Sequence, residues 1–171
     1  GISGIGGGGA LGGAAGDAAE ANGLAIPLLP PGLQERIAAV LPRPGSSPGN
    51  PIDVANPFFP PEGLRRVLHL AAEDDRVELQ VVTSLLYHYK SQAAAVGRPL
   101  AEVAPFRELA EAAGEAADET GKPVIVILPS LKRGRDDLDV LDVLARARQA
   151  FLDRGIPVFD DVAVGLLAVG H

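Results

Sequence analysis

The residues that point most directly to chemistry are the glycines after the first apolar segment. Gly6-Gly7-Gly8-Gly9 stand between a short apolar stretch, residues 1–5, and an alanine-rich stretch, residues 10–21. This order predicts a strand, a glycine turn and a helix. Glycines let a backbone approach a ligand closely, and a helix N-terminus presents unpaired N–H groups to anions. The loop therefore predicts a phosphate or carboxylate site, with a tight structural turn as the alternative. Its candidate residues are Gly7, Gly8, Gly9, Ala10, Leu11 and Gly12.

Two nucleotide motifs can be tested on this loop. No GxxxxGK[ST] pattern is present, which excludes a P-loop nucleotide hydrolase. The spacing Gly7-x-Gly9-x-x-Gly12 satisfies the dinucleotide pattern, but a glycine-rich tract does so by chance. No acidic residue closes a clear second strand about 20 residues later, so the sequence disfavours a nicotinamide enzyme.

A second candidate anion site follows the fourth predicted strand. Lys132 and Arg133, with Arg135 close by, lie in a chain of net charge −7. Cations at the ligand edge of a sheet can bind phosphate or the pyrophosphate of a coenzyme. The alternative is a solvated turn in which Asp136, Asp137 and Asp139 balance these charges.

The histidines give weaker evidence of a functional site than the glycine loop does. His88 lies just past the third predicted strand and can reach a crevice there, although its neighbours Tyr87 and Tyr89 equally indicate packing. His69 reads as a helix residue, and no second histidine or carboxylate has metal-ligand spacing to His88. A GxSxG nucleophile motif is absent. We predict no metal in this domain and assign no catalytic residue.

Composition narrows the class of protein further. The 171 residues include 15 Lys and Arg against 22 Asp and Glu, which argues against a general nucleic-acid or anionic-membrane surface. The absence of cysteine excludes disulfides and thiolate chemistry. No apolar run reaches the roughly 18 residues of a membrane helix. We expect a cytoplasmic protein and, because the chain starts without Met, a fragment or a trimmed chain.

The elements that must position these residues alternate along the chain. Strands are predicted at residues 1–5, 24–29, 78–86, 124–128 and 156–159, with helices between them at 61–75, 98–120 and 136–154, and Asp160 as the cap of a last helix. Residues 42–61 read as a surface loop. This alternation predicts an α/β, three-layer α/β/α sandwich with a five-stranded parallel sheet in the flavodoxin-like order 2-1-3-4-5. In that fold ligands bind at the carboxyl ends of the strands.

Several stretches resemble a known family. They are residues 9–17, Gly23-Leu24, Leu41-Pro42 and Asn50-Pro51-Ile52-Asp53-Val54. Together they resemble the flavodoxin-like ligase domains of NDP-forming acyl-CoA synthetases, relatives of succinyl-CoA synthetase and of ADP-forming acetate-CoA ligase. Residues 122–126 and 155–159 are similar to the last two strands of that domain, so the resemblance extends over nearly the whole chain. It implies that residues 1–171 form a single ligase domain, which we expect to be a fragment of a larger enzyme.

The resemblance implies a reaction, acyl-CoA + ADP + phosphate ⇌ carboxylic acid + CoA + ATP, that runs through an acyl phosphate and a phosphohistidine. It implies CoA and ADP or ATP as cofactors of the whole enzyme, and phosphate or phosphohistidine at the glycine loop of this domain. The implied partners, in cis or in trans, are a CoA-binding Rossmann domain, a phosphohistidine-bearing ligase domain and an ATP-grasp domain, with neither nucleic acid nor membrane. The oligomeric state stays open, a homo-oligomer included.

The family duplicates this domain. Gly9-Ala10-Leu11-Gly12, with Asp17 five residues on, is more like the copy that carries the phosphohistidine, whereas Asn50-Pro51-Ile52-Asp53 points to the other copy, which we favour. The Ser-His-Thr-Gly signature of the phosphorylated loop is absent, so no histidine here is assigned that role. Asn50 and Asp53 can bind the backbone of the first loop or a partner domain, or form an Asx turn around Pro51. Two rivals stay open: a non-catalytic docking or oligomerisation module of the same fold, and a free-standing small-molecule binder.

Overall fold

The computed structural model describes residues 1–7, 16–55, 59–131 and 134–169. Its centre is a five-stranded sheet in the order β2-β1-β3-β4-β5. All neighbouring strands are parallel. The strands are β1 (Ile2–Gly6), β2 (Ile52–Asp53), β3 (Leu79–Thr83), β4 (Val124–Ile127) and β5 (Val158–Phe159). The predicted fold class and strand order are confirmed.

Helices flank the sheet. The first, α1, includes residues 16–21. It is followed by α2 (Pro31–Ala38), α3 (Pro61–Ala72), α4 (Tyr89–Val96), α5 (Leu100–Val103), α6 (Phe106–Thr120), α7 (Leu138–Asp153) and α8 (Val162–Val169). Short 3₁₀ turns at Leu86–His88 and Arg135–Asp137 precede α4 and α7. Within the described residues, no helix is long and apolar enough to cross a membrane.

Proline and glycine set the ends of these helices. Pro31 and Pro61 occupy the first helical position of α2 and α3, where the missing N–H costs no hydrogen bond. At the other end, Gly97 and Gly121 take the left-handed conformation just after α4 and α6, with φ of 65° and 68°. A side chain would be strained there, so glycine ends the helix at low cost.

Two apolar layers cover the sheet because side chains alternate along each strand. In β3, Leu79 and Val81 pack with Ala19 and Leu166 on the face covered by α1 and α8. Val82, from the same strand, packs on the opposite face with the apolar sides of α2, α3, α6 and α7. All four residues of β4 are buried, as expected of a strand covered on both faces.

The predicted second strand is wrong. Residues 24–29 form no strand, and the edge strand β2 lies inside the segment that the sequence presents as a loop. Residues 24–29 do run beside β1, where the Ile2 N–H donates to the Ala25 carbonyl at 2.8 Å. Pro27 then removes a donor that a regular ladder would need, so the pairing does not extend.

Other boundaries also differ from the predictions: β3 ends at Thr83 and not at residue 86, and β5 begins at Val158 and not at residue 156. The helix predicted over residues 98–120 is divided into α5 and α6, because Pro105 interrupts it. The cap of α8 is Asp161 and not Asp160. The Oδ1 atom of Asp161 accepts hydrogen bonds from the N–H groups of Ala163 at 2.8 Å and Val164 at 3.1 Å.

Candidate functional site

The site forms where β1, β2 and β3 end side by side. The parallel register aligns Gly6 with Thr83 on one side and with Asp53 on the other. Side chains just after these strands therefore meet at one edge of the sheet. A cavity of about 230 Å³ opens at this point and extends into the layer covered by α3, α6 and α7. We call it the edge cavity.

The interior of the edge cavity is apolar. Ile5 and Val82 reach it from the sheet, and Leu64, Leu109 and Phe151 reach it from the three helices. Each of these five side chains is buried. Val54, Phe59 and Tyr89 also line its walls.

The mouth of the edge cavity is polar. It is lined by the backbone of Gly6 and Gly7 and by Thr83, Ser84 and His88. All five are half-buried, so they face the cavity and remain open to solvent. None of the described residues that line the cavity is acidic. The described residues that line the mouth thus offer hydroxyl, imidazole and backbone groups and no carboxylate.

The 3₁₀ turn after β3 positions two rings of the edge cavity: the His88 imidazole at the mouth and the Tyr89 phenol in the wall. His88 ends this turn and stacks on Tyr87, with the ring centroids 4.2 Å apart. Tyr89 begins α4, and only 5% of its surface is exposed. Burial raises the pKa of its phenol to about 12, so Tyr89 stays neutral at physiological pH.

The structure places the predicted loop residues as follows. Gly7 lines the edge cavity beside the end of β1. Gly8, Gly9, Ala10, Leu11 and Gly12, together with Lys132 and Arg133, lie outside the described residues. His88 lines the cavity, whereas His69 lies on the exposed α3–α6 surface and contacts Glu119 through its Nε2 atom. The phosphate site at the glycine loop therefore stays a prediction.

Asn50 contacts β1 itself, below the glycine loop. Its Oδ1 atom accepts a hydrogen bond from the Gly4 N–H at 2.9 Å. Its Nδ2 atom donates to the carbonyl oxygens of Ile2 at 2.9 Å and Pro27 at 3.1 Å. The Asn50 amide thus joins β1 to the segment around Pro27 on the outer side of that strand. Glycine at position 4 leaves space for Pro51, because a Cβ atom on residue 4 would lie 3.3 Å from the Pro51 side chain.

Asp53 forms a local turn at the end of β2. Its Oδ1 atom accepts from the Ala55 N–H at 2.8 Å, which is the Asx turn expected as one alternative, although it follows Pro51 instead of bracketing it. Its backbone pairs with Ser47 through hydrogen bonds of 2.9 and 3.0 Å. This turn directs Val54 and Ala55 toward the edge cavity, which both residues line.

The acidic residues after the fourth strand have a partner in α4. The Nζ atom of Lys90 donates to Asp137 at 3.1 Å and to Asp139 at 2.9 Å, and also contacts the carbonyl of Asp136. The hydrogen bond to Asp139 raises the pKa of Lys90, so the ammonium stays charged. These contacts fasten the start of α7 to α4, a role that the sequence pattern did not indicate.

The residues of the edge cavity that sequence reasoning missed include Thr83, Ser84 and Tyr89. They end or follow β3, a position at which ligand groups are expected in this fold, so position was the available signal. Their small or aromatic side chains carry no motif. In the part of the chain that the structure describes, no group of three or more His, Asp or Glu side chains is arranged to hold a metal ion.

Comparison with known proteins gives one family match. The family model described as the Ligase-CoA domain matches residues 2–156, most of the chain. No curated protein matches the chain.

Solved structures share the fold. A crystal structure of a Pyrococcus horikoshii OT3 protein superposes with a TM-score of 0.73 at 21% identity, over 99% of this chain and 34% of that one. The dinucleotide forming acetyl-coenzyme A synthetase 1 of Ca. Korarchaeum cryptofilum, in complex with phosphate and ADP, superposes with a TM-score of 0.70 at 22% identity, over 99% of this chain and 31% of that one. The apo form of this synthetase superposes with a TM-score of 0.67 at 22% identity, over 99% of this chain and 33% of that one. The chain thus spans about a third of the length of these relatives.

Proposed function

The chain belongs to the Ligase-CoA domain family, and on that premise we propose that it is one domain of an NDP-forming acyl-CoA synthetase. Such an enzyme catalyses acyl-CoA + ADP + phosphate ⇌ carboxylic acid + CoA + ATP. The family match over residues 2–156 is the observation that carries this proposal. The Ca. Korarchaeum cryptofilum synthetase, which has the same fold, forms a complex with phosphate and ADP, and this supports the proposal.

In this proposal the domain supplies an anion site and the other domains supply the rest. The glycine loop, Gly7–Gly12, would bind phosphate or a phosphohistidine through its backbone N–H groups. Lys132 and Arg133, which follow β4 in the sequence, would add positive charge. The described part of the edge fits an anion, because Gly7 lies at a mouth whose described residues include no acid.

The relatives' greater length supports a role within an assembly. Because this chain spans about a third of them, the CoA-binding, phosphohistidine-bearing and ATP-grasp functions would come from other domains, in cis or in trans. CoA and ADP or ATP would then bind to the whole enzyme. We expect the isolated chain to form no ATP from acyl-CoA, ADP and phosphate, and the reaction to appear when those domains are added.

The anion site can be tested on this chain alone by NMR. Inorganic phosphate, and separately CoA, should shift the backbone amide signals of Gly7–Gly12. Gly9→Val should abolish the response because a side chain blocks close approach of the ligand. Gly32→Val is the matched control, since position 32 has open space around it and lies in α2. A flat phosphate titration, or an unchanged response in Gly9→Val, would remove the anion site from the proposal.

One observation favours the alternative of a docking or oligomerisation module. Helix α8 contains no charged residue, and it leaves Val164 and Leu167 about half exposed, at 57% and 49%. An apolar helix face of this kind favours contact with another protein surface. If this is the main role, Val164→Lys with Leu167→Lys should weaken association in light scattering, and phosphate should leave the amide spectrum unchanged.

A further inference from the structure

The turn that ends α1 carries a residue pair with a chemistry of its own. The chain has three asparagines, Asn22, Asn50 and Asn56, and only Asn22 is followed by a residue other than proline, which is Gly23. We propose that Asn22 is a site of spontaneous deamidation, and that the reaction proceeds when the last turn of α1 opens locally. The reaction is independent of the synthetase activity, because it needs only water and the chain itself.

The deamidation is an attack by the backbone on the side chain. The Gly23 nitrogen gives its proton to hydroxide and forms a bond to the Asn22 Cγ atom. The Cγ–Nδ2 bond then breaks, and Nδ2 takes a proton from water and leaves as ammonia. Water opens the resulting succinimide ring at either carbonyl, which leaves aspartate or isoaspartate at position 22. Nothing is oxidised or reduced, and the net change is the uptake of water and the release of ammonia.

The sequence restricts this attack to Asn22. Proline has no backbone N–H, so the residues after Asn50 and Asn56 have no proton to release and cannot form the ring in this way. Gly23 has no side chain to hinder its nitrogen, and the position has open space around it. Gly23 is exposed and Asn22 is half-buried, so hydroxide and water can reach the pair.

Hydrogen bonds engage both reacting groups in the folded chain. The Asn22 Nδ2 atom donates to the Ala18 carbonyl at 2.7 Å. The Gly23 N–H donates to the Glu20 carbonyl at 3.0 Å. Both bonds must break before the ring can form, and the turn therefore has to open first. Two hydrogen bonds of ordinary net strength should slow the reaction about fivefold to hundredfold relative to the unfolded chain.

Isoaspartate would change the end of α1 more than aspartate would, because its main chain passes through the side-chain carbons and is longer by one atom. The Leu24 N–H donates to the Ala19 carbonyl at 2.9 Å, and the Ala25 carbonyl accepts from the Ile2 N–H of β1 at 2.8 Å. The extra atom therefore falls between two points that the fold holds. We expect the Leu24 amide hydrogen to exchange faster in the isoaspartate form than in the aspartate form.

The conversion can be followed on the full chain by mass spectrometry. Trypsin releases Asn22 within residues 1–36, and chromatography separates the aspartate and isoaspartate forms of this peptide. At mildly alkaline pH, the folded chain should convert at Asn22 about fivefold to hundredfold more slowly than the chain unfolded in urea. Asn50 should stay unchanged in both samples. Asn22→Gln should abolish the conversion at this position, because the ring that glutamine must close is larger.

Two variants test whether the opening is local. Ala21→Gly weakens the last turn of α1 at an exposed position and should speed the conversion up to about fivefold. Ala95→Gly makes the same change at an exposed position in the last turn of α4 and should leave the rate at Asn22 unchanged. An unchanged rate in Ala21→Gly, or equal acceleration in both variants, would overturn the local opening.

Two further outcomes bear on the site itself. Equal rates in the folded chain and in urea would show that the turn does not protect Asn22, which contradicts the proposed route. A folded chain with no conversion at Asn22 after about a hundred of the half-lives measured in urea would overturn the site, because two hydrogen bonds cannot slow the reaction that far.

Discussion

Asn50 shows how one side chain can take the place of a strand residue. Its amide accepts from the Gly4 N–H and donates to the carbonyls of Ile2 and Pro27, all within 3.1 Å. These β1 groups lie on the side of the strand that faces β2, which is only two residues long. Without Asn50, two backbone groups of β1 would lose their partners in a part-buried setting.

The first prediction concerns this amide. Asn50→Asp keeps the acceptor for Gly4 but replaces the Nδ2 donor by an oxygen that faces two carbonyls. We expect the free energy of unfolding, measured in urea, to fall by about 2–3 kcal/mol. Asn22→Asp is the control, because its Nδ2 atom donates to a single carbonyl, that of Ala18. An Asn50 variant as stable as the Asn22 variant would show that the amide does not hold β1.

At the scale of elements, most of the fold could be predicted from apolar runs and helix stops. The strands β3 and β4 lie in nearly continuous apolar segments, β1 is a short segment that leads into the glycine run, and Gly121 and Gly155 stop the helices before β4 and β5. The edge strand β2 could not be found this way, because it is two residues long and the Asn50 side chain, not a longer strand, pairs with the preceding part of β1. Long-range contacts of that kind leave no periodic pattern in the sequence.

The candidate site was predictable in position but not in shape. Topology places ligand groups after β1 and β3, and Gly7 and His88 do lie there. The edge cavity arises from how Leu64, Leu109 and Phe151 pack against the sheet from three separate helices. No motif encodes a gap among apolar side chains, so neither its size nor its apolar interior could be read from the sequence.

The second prediction tests the start of α8. Asp161→Ala removes the acceptor for the N–H groups of Ala163 and Val164 and should lower the free energy of unfolding by about 1 kcal/mol. Asp160→Ala removes only a surface ion pair with Arg148 and should cost a few tenths of a kcal/mol. The two variants remove the same charge from adjacent residues. Equal losses in urea unfolding, or a larger loss for position 160, would contradict the assigned cap.

At the scale of the whole molecule, the turn at Asp74 connects segments that are distant in sequence. Its buried carboxylate accepts from Arg76 Nε at 2.9 Å, and Arg76 also donates to the Leu28 carbonyl. Lys122, just before β4, donates to the Asp74 carbonyl at 2.8 Å. The end of α3, the segment beside β1 and the start of β4 are therefore joined at one point.

The third prediction is a loss of stability in acid that depends on this carboxylate. Hydrogen bonds from Arg76 hold the pKa of Asp74 below its ordinary value of 3.8. A lowered pKa stabilises the fold above the unfolded-state pKa, and this contribution disappears as the pH falls through the folded-state value. Asp74→Asn should therefore cost roughly 1.5–3 kcal/mol at pH 7. Its difference from wild type should shrink below about pH 4.

Urea unfolding between pH 2.5 and pH 7 measures this difference. Asp75→Asn is the matched control, since it removes the same charge from the exposed neighbouring position. A constant difference between Asp74→Asn and wild type over this range would show that the carboxylate does not contribute through its charge.

Neither edge strand of the sheet is well suited to pair with a strand of another molecule. The strands β2 and β5 have two residues each, and each directly follows a proline, Pro51 or Pro157. The outer side of β2 is already occupied, because Ser47 pairs with Asp53. Growth of fibrils begins when a strand from one molecule extends the sheet of the next. A concentrated solution of the folded chain should therefore resist amyloid seeding for as long as these edge strands stay intact.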